Sequence, residues 1–149
     1  MVTKKVQKYV TALILIILSS CTPASKPKSS SEISEIQSVL QKQTLDWNEG
    51  SIPKFMQGYD QSDSLQFITK RGRTVGWQNV LNLYMASYPN QKEMGKLQFK
   101  NLIITNLDLN LAQVYGNWEV TKDSIIQGNF SLIMKKKSDA WKITIDHTW

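Results

Sequence analysis

The closing stretch of the chain, residues 140–149, constrains the fold more than any other. Trp141, Ile143, Ile145 and His147 alternate there with Lys142, Thr144, Asp146 and Thr148. A strand turns successive side chains to opposite faces, so the pattern predicts a half-buried strand with one apolar and one wet face. His147, the only histidine of the chain, falls at the end of the apolar face. Simple alternation turns Asp146 away from that face. A His147–Asp146 dyad would need a bulge in the strand. The remaining elements must cover the apolar face, and a gap in the cover would open beside His147.

The three segments before it also read as strands, from residue 96 onward. Leu97, Phe99, Leu102 and Ile104 shift face around Lys100-Asn101, which predicts a bulge or strong bend. Ala112, Val114, Gly116, Trp118 and Val120 share one face of the next strand, and Ile126, Gly128, Phe130, Leu132 and Met134 one face of the following strand. Polar turns at 122–124 and 137–139 join them into a meander. Upstream, Ile33, Ile36, Leu40 and Trp47 recur at helical spacing, with Val39 and Gln43 beside the stripe and Gly50 as the stop. Ser51-Ile52-Pro53 can open a short second helix, and Trp77, Val80, Leu81 and Tyr84 mark a third that ends before Pro89. A short strand at 64–69 and a tight turn at 70–73 lie between them. Helices followed by a long meander is an α+β pattern, with N-terminal helices packed on a strongly bent antiparallel sheet.

The N-terminal region reads as an address. Lys4, Lys5 and Lys8 precede an apolar run at 10–18, and Leu18-Ser19-Ser20-Cys21 follows. The run is too short to span a bilayer, which takes about 20 apolar residues, and suits a cleaved signal. Small residues before a single cysteine resemble the bacterial lipoprotein box, in which the cysteine is lipidated. Cys21 is the only cysteine, so no intramolecular disulfide is possible. The expected organisation is a lipoprotein signal at 1–20, a Ser/Pro/Lys-rich tether at 21–31 and a domain at 32–149, held in the cell envelope through lipid on Cys21 and facing the periplasm. The net charge of +6 is concentrated in the first 31 residues. From Glu32 onward 13 basic residues balance 12 acidic ones, so the domain has no nucleic-acid footprint.

Asp46-Trp47-Asn48-Glu49-Gly50, Gly58-Tyr59, Gly76-Trp77, Tyr88-Pro89 and Trp141-Lys142-Ile143 with Asp146-His147-Thr148 occur in one order. Together they resemble the cone-shaped nuclear transport factor 2-like superfamily, in its SnoaL-like branch. The resemblance implies a sheet and helices enclosing a cavity, in a fold that hosts isomerases, cyclases, dehydratases and binding modules alike. It also leaves an outer sheet face on which a second copy can form a homodimer.

Stronger chemical signals are missing. One histidine and one cysteine exclude a histidine-rich metal cluster and a Cys/His zinc site, and no G-x-S-x-G or phosphate-cradling glycine loop occurs, so neither metal nor cofactor is expected. Counting from the turns places Gly128 near Trp118 and, within about two residues, near His147. The expected ligand pocket comprises Trp47, Tyr59, Trp77, Tyr84, Trp118, Gly128, Phe130 and His147. The candidate acid–base residues are His147, a side-chain type whose ordinary pKa lies near neutrality but which reads first as a hydrogen-bonded core residue, and Asp46, a carboxylate beside Trp47 on a helix face that reads first as solvated. The reading of function is a lipid-anchored module binding a small apolar molecule or partner without catalysis. The alternative is a cofactor-independent isomerase, cyclase or hydrolase using a pocket acid–base residue. What separates them is whether an ionisable side chain points into the cavity among apolar neighbours.

Overall fold

In the computed structural model, which describes residues 29–149, the helical stripe lies on α1 (Ser29–Asn48). Ile36, Leu40, Gln43 and Trp47 are each at most 3% exposed, so the stripe passes through a glutamine. Its amide is satisfied by donating to the Phe55 carbonyl at 3.2 Å, as a buried polar group must be. The signal, Cys21 and the tether up to residue 28 lie outside the described residues. Ser29–Ser31, read as tether, are the first residues of α1.

Two short turns of helix follow, α2 (Ile52–Phe55) and a 3₁₀ turn Met56–Gly58, then the hairpin β1 (Gln66–Thr69) and β2 (Gly72–Val75). Helices α3 (Trp77–Ser87) and α4 (Gln91–Met94) lead into four long strands, β3 (Lys96–Asp108), β4 (Leu111–Thr121), β5 (Ile125–Lys137) and β6 (Ala140–Thr148). The sheet runs in the order β2-β1-β6-β5-β4-β3. It is mixed: every pair is antiparallel except β1 with β6, where Gln66, Phe67 and Ile68 align in parallel with Ile145, Asp146 and His147. The predicted antiparallel sheet is corrected at that one pair. A parallel partner needs a long connection, and the chain from β1 to β6 supplies one.

The bend falls where the sequence places it. The β3–β4 register shifts between Lys100 and Ile103, and Asn101 takes a φ of 52° there. Tight packing on the concave face explains two glycines. A Cβ on Gly116 would come within 2.8 Å of both Phe130 Cζ and Leu102 Cδ2. One on Gly128 would come within 2.7 Å of Trp118 Cζ2 and 2.6 Å of the Trp149 carbonyl. Both are sites of close approach that no side chain fits.

One departure changes the reading of function. Met134 pairs with Ile143, but Ile133 pairs with Ile145, so Thr144 is an extra residue in β6. Its hydroxyl donates to the Ile133 carbonyl at 3.1 Å. A bulge of this kind reverses the facing of every later residue. Trp141 and Ile143 point inward, and beyond the bulge Asp146 is the buried residue while His147 is exposed.

Candidate functional site

Between the concave face of the sheet and helices α1, α2 and α3 lies a cavity of about 930 Å³. Its wall is aromatic because the elements that meet there each contribute a ring: Trp47 from α1, Phe55 from α2, Phe67 from β1, Tyr84 and Tyr88 near the end of α3. Phe55 and Tyr88 meet Trp47 edge to face at 5.1 and 4.8 Å, and Phe67 lies 5.4 Å from Tyr84. Phe99, Trp118 and Phe130 close the sheet side, with Phe99 and Phe130 5.2 Å apart. Edge-to-face contacts of this kind hold rings in place beyond what their buried area does. The Trp118 indole is fixed further by donating from Nε1 to Thr148 Oγ1 at 2.7 Å.

Asp146 is set into this wall. It is 6% exposed and accepts a hydrogen bond from the Tyr59 hydroxyl at 2.7 Å on Oδ2, while Oδ1 has no donor among the described residues. Burial penalises the charged form and pushes its carboxyl up to about 6, against the smaller lowering effect of the Tyr59 hydrogen bond. Burial, and next the charge of Asp146, hold the Tyr59 and Tyr84 phenols well above their ordinary range. Both phenols therefore remain proton donors near neutrality. A carboxyl that titrates near 6 populates both states at neutral pH, the condition for moving a proton in either direction.

The structure brings together Trp47, Tyr59, Tyr84, Trp118 and Phe130 of the residues read from sequence. Trp77 lies outside the cavity wall, donating from Nε1 to the Met56 carbonyl at 3.0 Å to fasten α3 to the 3₁₀ turn. Gly128 does not line the cavity either. It makes room for the Trp118 ring, its strand partner. His147 is corrected to the outer face of the sheet, where it pairs with Ser131 and its ring lies 4.8 Å from Trp149. Asp46 is buried but does not line the cavity, and its carboxylate is held by Lys42 Nζ at 2.8 Å. Sequence reasoning missed Asp146, because alternation alone turned it outward. Among the described residues no three His, Cys, Asp or Glu side chains come together to hold a metal.

No family model matches the chain, and no curated protein does either. Solved structures do. An NTF-2 like protein of unknown function from Shewanella oneidensis MR-1 is 32% identical, with a TM-score of 0.76 over 78% of this chain and 98% of its own. A nuclear transport factor 2-like superfamily protein from Salmonella enterica is similar at 17% identity and a TM-score of 0.63, over 79% of this chain and 92% of its own. A candidate scytalone dehydratase from Novosphingobium aromaticivorans shares the fold at 11% identity and a TM-score of 0.63, over 79% and 87%. The helices wrapped by a bent sheet, and a third of residues shared with a protein matched over nearly its whole length, place this chain in the nuclear transport factor 2-like superfamily.

Proposed function

We propose that the domain takes a small, mostly apolar molecule bearing a carbonyl or hydroxyl group into the aromatic cavity, and that Asp146 moves a proton on it. The observation that supports this is a single buried carboxyl among aromatic rings, with one oxygen held by Tyr59 and the other free to meet a ligand. As a carboxylate, Asp146 removes a proton from the carbon beside a carbonyl. The electron pair moves onto the carbonyl oxygen, where a phenol such as Tyr84 donates a hydrogen bond to it. Return of the proton at another carbon completes an isomerisation, and departure of a hydroxyl as water completes a dehydration. The superfamily includes ligand-binding members as well as dehydratases and isomerases. The candidate dehydratase lends this chain its fold and no residue's role.

The test is a screen of apolar ketones, lactones and hydroxy-ketones for turnover, repeated with Asp146→Asn. Loss of about 10²–10⁴-fold in rate with the ligand still bound is the expected result. Turnover unchanged in Asp146→Asn contradicts the assignment. Binding without turnover in the wild type returns the domain to a non-catalytic binding module.

The same reading tethers the domain to the cell envelope through lipid on Cys21, with the cavity in the periplasm. The charged, apolar and small-residue segments of 4–21 support the tether. The start of α1 lies beside Asn106 and Lys136, at the end of the sheet where β6 begins. Thr148, at the other end of β6, lines the cavity. Cys21→Ala is expected to accumulate as precursor. A processed, fully soluble wild type contradicts the tether.

A further inference from the structure

The side chains that line the cavity include one acid, Asp146, and three cations, Lys70, Arg71 and Arg73, all from the β1–β2 hairpin. The acid is buried in the wall and the cations are exposed, so charge is separated between the depth and the mouth. Arg73 is turned aside. It pairs with Ile68 on the outer face of the hairpin and donates to Gln66 Oε1 at 3.3 Å. Lys70 and Arg71 occupy the tip, where the Arg71 N–H donates to Thr69 Oγ1 at 3.0 Å and fixes the turn. Among the described residues neither side chain has a carboxylate within ion-pair distance. The Arg71 charge reaches the cavity, since it opposes the rise that burial imposes on the Tyr88 phenol. Asp146 is set by burial and Tyr59, with no cation contributing, so it and Arg71 act on different parts of anything bound between them.

We infer that Arg71, with Lys70 beside it, is an anion receptor at the cavity mouth, and that the molecule taken up is an organic acid with an apolar or aromatic body. The guanidinium presents a planar fork that matches a carboxylate with two hydrogen bonds, and among the described residues no acidic side chain pairs with it. The apolar body fills the ring-lined interior, which leaves the reacting carbon or oxygen at Asp146. An acid held the other way round would set its carboxylate against Asp146, and two like charges in a buried site repel strongly. The charges thus fix orientation as well as class. This assignment rests on the cavity reading proposed above.

The experiment uses two probes of one shape, 1-naphthaleneacetate and its neutral amide, with the full chain. Affinities are read by calorimetry at low and high salt for wild type, Arg71→Gln and Lys70→Gln. The acid is expected to bind about tenfold tighter than the amide, as one charge-assisted contact at a partly exposed site gives. Arg71→Gln should bring the ratio close to one while the amide affinity and melting temperature hold. Lys70→Gln should reduce the ratio less, and salt should reduce it throughout. Equal affinities in the wild type, or a ratio that survives Arg71→Gln, overturn the anion receptor and leave the cavity reading standing. Failure of both probes to bind refutes the cavity reading, and the receptor with it.

Discussion

Replacing Asp146 with Asn should make the protein more stable at neutral pH, and the gain should disappear in acid. Asparagine keeps an oxygen to accept from the Tyr59 hydroxyl but cannot ionise. In the wild type the carboxyl titrates at about 6 when folded, against 3.8 as its ordinary value. The folded state therefore binds more protons than the unfolded state between those values. Stability is greatest below about 3.8, falls as the pH rises to about 6, and is flat above. That displacement corresponds to about 3 kcal/mol of stability lost to the buried charge at pH 8. The amide adds N–H donors that find no partner in the wall, at a cost of about 1 kcal/mol, so the net gain at pH 8 is about 2 kcal/mol. For a domain of this size that raises the melting temperature by several degrees. Urea unfolding of wild type and variant at pH 4 and pH 8 reads both numbers. An equal difference between the two proteins at both pH values would contradict this, because only an ionising group in the wall makes it change.

Tyr59→Phe removes the one hydrogen bond that favours the charged carboxyl, so the Asp146 titration should move further up, as a pH profile of any turnover would report. Gly128→Ala forces atoms against Trp118 and the Trp149 carbonyl and should cost about 1–3 kcal/mol by chemical denaturation. An unchanged midpoint would mean that β4 and β5 have room the structure denies. His147→Gln, on the exposed face, should alter stability by no more than about 0.5 kcal/mol and leave binding of naphthalene probes untouched, as melting and calorimetry would show.

Most of the architecture was legible because long periodic segments declare themselves. The stripe on α1, the stop at Gly50, the Pro53 helix start and the four C-terminal strands all follow from spacing and turn chemistry. So did the bend near Asn101 and the pairing of Trp118 with Gly128. The parallel joining of β1 to β6 was not legible, since edge pairing between distant segments leaves no local periodicity. The site was half legible for a related reason. Five of the eight expected pocket residues line the cavity, because large aromatics on the covered faces of several elements must converge there. The acid was lost to one extra residue. Residues 141–148 alternate without interruption, and nothing in their composition marks Thr144 as the bulge. The only hint lay on the neighbouring strand. Ile133 is an apolar residue on the outer face of β5, and Ile145 turned outward becomes its cross-strand partner. A one-residue slip exchanged His147 for Asp146 and with it the chemistry of the wall.

The protonation of Asp146 is what the account turns on, and carbon-detected NMR measures it directly. The side-chain carboxyl carbon of Asp146, identified by its loss in Asp146→Asn, is followed from pH 3 to pH 9. A midpoint near 6, shifting upward in Tyr59→Phe, is the predicted result. A midpoint near 3.8 in both proteins would place the carboxyl in water, outside the aromatic wall, and remove the basis for acid–base chemistry in this cavity.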